Sequence, residues 1–267
     1  MILVFDVGNS ETTLGLFNGE ILRAHWRVTT GVSRTRDEFG VLVRALIAAS
    51  GHDLMAIHGV AIGSVVPAVT QPLAEACERY LSAGPSVIVD GTSPLPIRLD
   101  VDEPQTVGAD RIVNTLAASR LYGRDAVVVD LGTATTFDCI TRDGVFLGGV
   151  IAPGVETSAD TLVRRTSKLP ATELRVPARV IGRRTEDCIR AGVLFGAAEA
   201  IDGILRRIKR EWPRSEAGAP HVIATGGLAE LMATLCTEFD RVEPFLTLRG
   251  LQLAHGLLAP APTDTAI

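Results

Sequence analysis

Two kinds of hydrophobic pattern alternate along this chain of 267 residues. Runs of strand length at 2–5 and 12–17 are followed by turn residues, at 6–10 and at Asn18-Gly19, and a further run follows at 21–28. An Asn-Gly pair between two such runs is the strongest short-range signal for a β-hairpin. Segments with apolar residues at every third or fourth position, such as 37–50, instead predict helices. The alternation of the two patterns predicts an α/β protein.

The rest of the chain repeats these two patterns. Strands are predicted at 60–66, 86–90, 126–129, 137–140, 145–149 and 222–224, and helices at 70–81, 112–121, 185–212, 228–238 and 249–258. Pro213–Pro220 is predicted to form a surface loop, and the chain from Pro260 onward a frayed tail.

The N-terminal hairpin phrase returns in the second half of the chain. Asp6-Val7-Gly8, at the end of a strand, is followed by a threonine-bearing strand, a glycine turn and a third strand. Asp130-Leu131-Gly132 is followed by the same features in the same order. Glycine turns alone coincide by chance, but the shared order of all these features favours an internal duplication. We therefore predict two domains, 1–116 and 117–260, that face each other across a central cleft.

The two Asp-x-Gly turns are candidates for phosphate binding. A glycine after a strand lets backbone N–H groups approach phosphate oxygens, and Asp6 and Asp130 are placed to hold a cation. Further donors are the hydroxyls of Ser10, Thr12, Thr13 and Thr133. A single Asp-x-Gly is more simply a turn with an Asx hydrogen bond, but its paired occurrence favours phosphate binding. The chain contains no GxxxxGK[ST] motif, which excludes a P-loop mechanism.

Charge and cysteine usage narrow the classes of partner. The net charge of -5 argues against a nucleic-acid or anionic membrane surface, because both partners need a basic field. The four cysteines form no CxxC pair, no apolar stretch is long enough to span a membrane, and the N-terminus has no basic leader. We expect a cytoplasmic protein with no nucleic-acid or membrane partner.

Six sequence blocks, in order, resemble those of one known family. They are 6–10, 63–67, 108–114, 130–136, 148–154 and 225–227. Over essentially its full length the chain resembles the type III pantothenate kinases, which belong to the acetate kinase/sugar kinase/Hsp70/actin superfamily. The element Gly108-Ala109-Asp110-Arg111 separates this family from the sugar kinases. The resemblance implies two duplicated ribonuclease H-like (actin-like ATPase) domains and the ATP-dependent phosphorylation of pantothenate to 4′-phosphopantothenate, the first step of coenzyme A biosynthesis.

The resemblance also implies roles for residues around the nucleotide. The loop that would bind the ATP phosphates consists of Asp6, Val7, Gly8, Asn9, Ser10, Glu11, Thr12 and Thr13. Asp6 would lie near the bound Mg²⁺, and Thr133 would add a contact to the nucleotide. Asp130 would coordinate a monovalent cation, K⁺ or NH₄⁺.

For the second substrate, the resemblance implies that Gly108, Ala109, Asp110 and Arg111 bind pantothenate. Asp110 would take the proton from its primary hydroxyl, as a carboxylate within hydrogen-bond reach does. Arg111 suits a carboxylate, which pantothenate carries, and equally suits charge on the transferred group. Thr185 would contact pantothenate across a homodimer interface.

Simpler interpretations stay open at these positions. Asp110 and Thr185 each precede a helical pattern and suit a helix N-cap, and Arg111 suits a surface ion pair. Ser10 replaces a threonine that is frequent in the family, and Val101 replaces a tyrosine that some members have in the substrate pocket. The alternatives for function are a kinase of another small hydroxy acid, carboxylic acid or sugar, and a non-catalytic regulatory relative.

Overall fold

A computed structural model describes residues 1–81, 83–212 and 218–259. The predicted tail from Pro260 onward, and residues 213–217 of the predicted surface loop, lie outside these ranges. The elements, in chain order, are β1 Ile2–Val7, β2 Glu11–Asn18, β3 Ile21–Thr29, α1 Arg36–Ala49, β4 Gly59–Ser64, α2 Pro67–Leu81, β5 Val87–Val89, β6 Arg98–Leu99, α3 Ala109–Tyr122, β7 Ala126–Leu131, β8 Ala134–Ile140, β9 Val145–Pro153, α4 Val155–Arg165, α5 Thr185–Glu211, β10 His221–Thr225, α6 Ala229–Ala233, β11 Arg241–Val242 and α7 Leu246–Leu258. Short 3₁₀ helices lie at Leu54–Ala56 and Pro104–Thr106.

The described residues form two compact units. The first comprises Met1–Ile97, Asp102–Ala117 and the described chain from Thr247, and the second comprises Arg98–Val101 and Ala118–Leu246. This division differs from the predicted ranges 1–116 and 117–260 mainly at the C-terminus, where α7 belongs to the first unit.

The two units repeat one sheet topology. The strand order of the first sheet is β3-β2-β1-β4-β5, and the second contains the corresponding order β9-β8-β7-β10-β11, with β6 added at the β9 edge. In both sheets the first three strands are antiparallel neighbours and the next pairing is parallel. The pairing of aspartate with threonine repeats too, since Asp6 pairs with Thr13 and Asp130 pairs with Thr136. The α/β prediction and the internal duplication are thus confirmed.

Strand alternation decides which way the two aspartates point. In β1, Leu3, Phe5 and Val7 belong to the core under the first sheet, and successive side chains alternate between faces, so Asp6 lies on the opposite face. The core of the second unit takes Val127, Val129 and Leu131 of β7 in the same way. Asp130 therefore lies on the face of its own sheet that points away from that core.

Glycines let α7 pack tightly in the first unit. A Cβ atom built on Gly63 would lie 2.9 Å from Leu251 Cδ2, and one on Gly15 would lie 3.0 Å from Leu248 Cδ1. The helical period of 249–258 predicts the helix itself, but its packing partners are distant in sequence.

Two further helices differ from the predictions. Helix α6 ends at Ala233 although a helix was predicted over 228–238, because the backbone N–H groups of Thr237 and Glu238 donate to the carboxylate of Asp202. Helix α4 was not predicted at all, since only Val155 and Ala159 among its 11 residues are buried. None of the helices in the described ranges is long and apolar enough to cross a membrane.

Candidate active site

The first Asp-x-Gly loop is a tight turn between β1 and β2. The N–H of Gly8 donates to the carbonyl of Glu11 over 3.0 Å, and a Cβ atom built on Gly8 would lie 3.0 Å from the same oxygen. Asn9, Ser10 and Glu11 at the tip are exposed. The turn therefore presents backbone and short polar side chains to solvent, which is the geometry that anion-binding loops use.

The side chains of Val7 and Thr12 in this loop are buried and not presented to solvent. The side chain of Val7 is buried in the core, and the Thr12 hydroxyl shares a buried hydrogen bond of 2.8 Å with the hydroxyl of Thr30. The N–H of Thr30 also donates to the carbonyl of Ser10 over 2.9 Å. Thr12 therefore braces the loop, and any phosphate contact from Val7 or Thr12 would come from the main chain.

The start of α3 lies one strand away from Asp6. Asp6 is in parallel register with Gly63 at the end of β4. A Cβ atom built on Gly63 would lie 3.7 Å from the Cβ atom of Ala109, the first residue of α3. The structure thus brings Asp6 and the Gly108–Arg111 element to the same end of the first sheet.

Asp110 occupies space that only a glycine at position 108 leaves open. A Cβ atom built on Gly108 would lie 2.4 Å from Asp110 Oδ1 and 3.2 Å from Val65 Cγ1. The same Oδ1 accepts a hydrogen bond of 2.9 Å from the N–H of Arg111. Because α3 begins at Ala109, Asp110 is its second residue, so the interpretation of Asp110 as an N-cap is wrong.

The second Asp-x-Gly loop is held by the start of α4. The N–H of Gly132 donates to the carbonyl of Ala134 over 3.1 Å, which closes the turn. The carbonyl of Thr133 accepts hydrogen bonds from the N–H of Gly154 at 3.2 Å and from the Thr157 hydroxyl at 2.6 Å. A Cβ atom built on Gly154 would lie 2.4 Å from two carbonyl oxygens of this loop, so the close approach requires glycine.

The turn after β10 lies against Asp130. Gly226 has a φ of +90°, and a Cβ atom built on it would lie 2.5 Å from Asp130 Oδ1. The preceding residue, Thr225, is in parallel register with Asp130. In the sequence this turn is one of the six blocks that carry the family resemblance, and no sequence signal links it to Asp130.

Thr185 is the first residue of α5 and is exposed. The N-cap position belongs to Arg184, and no side chain caps this helix by a hydrogen bond. The predicted start of the helix is confirmed, whereas the interpretation of Thr185 as an N-cap is wrong.

Arg190 fixes the chain that leads to Thr185. Its buried guanidinium donates to the carbonyl of Glu173 at 2.9 Å and to Asp187 Oδ1 at 3.1 Å, and lies 3.7 Å from Glu186 Oε2. Sequence reasoning missed this residue. The available signal was the pair of acidic residues three and four positions before an arginine on a helix.

No group of three or more His, Cys, Asp or Glu side chains within 1–81, 83–212 and 218–259 forms a metal cage. Mg²⁺ in nucleotide enzymes is usually held by one or two carboxylates together with substrate phosphates. Asp6, at the end of β1 beside the glycine loop, matches that mode of binding.

Comparison with known proteins identifies the family. The family model for type III pantothenate kinase matches residues 2–207. A type III pantothenate kinase from Moorella thermoacetica is 45% identical over 256 residues, which cover 96% of this chain and 98% of the relative. Another, from Thermomicrobium roseum, is 44% identical over 257 residues and 96% of both chains. This chain belongs to the type III pantothenate kinase family.

Solved structures agree with the fold expected of a type III pantothenate kinase. The activator of 2-hydroxyisocaproyl-CoA dehydratase from Clostridium difficile has a TM-score of 0.53 at 12% identity, covering 96% of this chain and 93% of that one. Component A of (R)-2-hydroxyglutaryl-CoA dehydratase from Acidaminococcus fermentans has the same TM-score and identity, covering 95% of each chain. These likenesses concern the fold alone, and they confirm the expected pair of ribonuclease H-like, actin-like ATPase domains.

The matched region of the type III pantothenate kinase model contains both Asp-x-Gly loops, the Gly108–Arg111 element and Thr185. The Thr225–Gly227 turn lies beyond it.

Proposed function

We propose that this protein catalyses the ATP-dependent phosphorylation of pantothenate to 4′-phosphopantothenate, the first step of coenzyme A biosynthesis. The observation that carries the proposal is membership of the type III pantothenate kinase family across both units of the chain. The geometry of Gly108 and Asp110 supports it, because the family element that sets these kinases apart is built around one carboxylate.

The proposed chemical step is an in-line transfer to the primary hydroxyl of pantothenate. Its oxygen forms a bond to the γ-phosphorus of ATP as the bond between that phosphorus and the β,γ-bridging oxygen breaks, which releases ADP. The hydroxyl proton passes to the carboxylate of Asp110. The hydrogen bond from the Arg111 amide holds this carboxylate in one orientation, which favours a fixed base.

The phosphates of ATP are proposed to bind at the turn from Asp6 to Thr13, where Asn9 and Ser10 are exposed and Gly8 lets the main chain come close. Asp6 would hold Mg²⁺, which neutralises charge on the phosphates when bound. Thr133 in the second loop is proposed as a further nucleotide contact, positioned by its bonds to Gly154 and Thr157.

Asp130 is proposed to bind K⁺ or NH₄⁺. Its carboxylate lies beside the Gly226 turn, where the absence of a Cβ atom leaves its Oδ1 close to main-chain atoms. Arg111 is proposed to bind the carboxylate of pantothenate, for which a planar guanidinium is suited.

A cytoplasmic homodimer is part of the proposal. Thr185 would reach pantothenate bound by a second copy of the chain. Large apolar side chains are exposed on the same unit as Thr185, among them Ile151 at 66%, Val180 at 69% and Ile181 at 85%. Val180 and Ile181 are neighbours in the chain, and contiguous exposed apolar surface supports association with a partner.

A panel of phosphoryl acceptors tests the proposed substrate. Purified protein with Mg-ATP would be given pantothenate, pantothenol, glucose or acetate, and phosphorylated products would be identified by mass spectrometry. Pantothenol keeps the primary hydroxyl but lacks the carboxylate, so we expect a higher KM than for pantothenate. Preference for glucose or acetate would indicate another kinase of the superfamily, and no product with any acceptor would favour a regulatory relative.

A further inference from the structure

The Thr225 hydroxyl is a buried polar group that lacks a hydrogen-bond partner. The residue is fully buried at the end of β10, and its Oγ1 makes no hydrogen bond. Buried polar groups in native proteins are almost always paired, so each exception calls for a physical explanation such as an ion or a water molecule. The position of the Thr225 hydroxyl favours an ion.

Thr225 and Asp130 lie next to each other on one face of the second sheet. They are register partners on the parallel strands β10 and β7, and partners in register place their side chains on the same face. Both lie at the carboxyl ends of their strands. Gly226 follows directly, and its main chain passes so close to Asp130 that a Cβ atom would lie 2.5 Å from Oδ1. A carboxylate and an unpaired hydroxyl therefore occupy neighbouring positions on one face at one strand end.

The first unit lacks this arrangement although it repeats the topology. The residue in register with Asp6 on the corresponding parallel strand is Gly63, which has no side chain. The space beside Gly63 is taken by Leu251 and Ala109, whose atoms lie 2.9 and 3.7 Å from a Cβ atom built there. Both units thus carry the carboxylate and a threonine in register with it on the antiparallel strand, but on the parallel strand the second unit has Thr225 where the first has Gly63.

We infer that Thr225 Oγ1 is a further ligand of the monovalent cation at Asp130. The inference rests on the proposed function, which assigns that cation to Asp130. A monovalent cation needs few carboxylate ligands and is bound largely by neutral oxygens. Potassium filters, which are built from carbonyl oxygens, are an example. A hydroxyl without a partner offers its lone pairs for this purpose, and the bound cation satisfies the buried oxygen.

Cation binding to the free protein, in the absence of ATP and pantothenate, tests this inference. Thr225→Val keeps the β-branched shape and removes the hydroxyl, whereas the matched control Thr225→Ser keeps the hydroxyl and removes the methyl group. Affinity would be measured by thermal shift on titration with KCl at constant ionic strength in NaCl, and by ²⁰⁵Tl NMR with Tl⁺ in place of K⁺.

We expect Thr225→Val to bind K⁺ and Tl⁺ about tenfold or more weakly than wild type. Thr225→Ser should bind them within about threefold, since it keeps the ligand oxygen. Without K⁺, Thr225→Val should melt at the same temperature as wild type or higher, because it removes an unsatisfied buried group. Thr225→Ala serves in the same comparison if the valine variant does not fold.

Unchanged K⁺ and Tl⁺ affinity in Thr225→Val would overturn the inference. If Asp130→Ala alone removed binding, the cation would still be at Asp130 but without Thr225 as ligand. If wild type bound neither cation while pantothenate-dependent ADP release persisted, the cation site would be wrong and the kinase assignment would stand. If wild type bound the cations but released no ADP with pantothenate, the cation site would stand and the kinase assignment would be wrong.

Discussion

The carboxylate of Asp110 fills the space beside Gly108, where a Cβ atom would lie 2.4 Å from Oδ1. Glycine is therefore required at position 108 to leave room for this carboxylate, and not for backbone flexibility. Any side chain at this position has to displace the proposed base.

Gly108→Ala should lower kcat about 100-fold, because a displacement of about 1 Å in a reacting group costs about that factor. The measurement is steady-state kinetics with pantothenate, alongside the melting temperature. The matched control is Gly256→Ala in α7, where a Cβ atom would meet nothing within 4 Å. We expect the control to keep full activity and to gain about 0.5–1 kcal/mol of stability from the higher helix propensity of alanine. Equal activity of Gly108→Ala and wild type would show that the Asp110 orientation does not matter.

Asp110→Asn separates a catalytic role from a structural one. The amide oxygen of asparagine still accepts the hydrogen bond from the Arg111 amide, so the melting temperature should stay close to that of wild type. Since asparagine accepts no proton, turnover should fall about 100-fold or more. Turnover close to wild type, in a variant that melts normally, would remove Asp110 as the base.

Burial of His255 predicts a loss of stability in mild acid. The ring packs so closely on Gly59 that a Cβ atom there would collide with it, and burial, with a smaller contribution from His58, lowers the pKa of His255 below its usual value. Protonation therefore favours the unfolded chain. Stability should be complete above the unfolded pKa of about 6.5 and should fall as the pH drops below it.

The measurement is urea unfolding of wild type and His255→Gln between pH 7.5 and pH 5. The variant should lose less stability across this interval, with a difference in slope of at most about 1.4 kcal/mol per pH unit. The same unfolding experiment on His221→Gln serves as the comparison. Burial also lowers the pKa of His221, although Asp240 opposes this effect. Parallel stability curves for wild type and His255→Gln would exclude His255 as the cause.

The sequence predicted the parts of the fold that local pattern determines. The hairpin around Asn18-Gly19 and its repeat after Asp130 were predictable, because turn residues and strand alternation are local. The short α6 was not, since the Asp202 carboxylate that takes the amides of Thr237 and Glu238 comes from another element. The packing of α7 in the first unit likewise depends on glycines far away in the chain.

The candidate site divides in the same way. Motifs predicted which loops are glycine turns after strands, and the structure shows them as such. No motif predicted that the Thr12 hydroxyl is already bonded to Thr30, or that Thr225 lies in register with Asp130. Both facts arise from strand pairing between distant segments, which a single sequence does not reveal.

Release of ADP by the purified protein with Mg-ATP and pantothenate tests the central claim most directly. Wild type would be measured in potassium and in sodium, with Asp110→Asn as the matched control. We predict ADP release that requires pantothenate, increases in potassium and is nearly absent in the variant. No pantothenate-dependent ADP release in either salt would contradict the assignment as a pantothenate kinase.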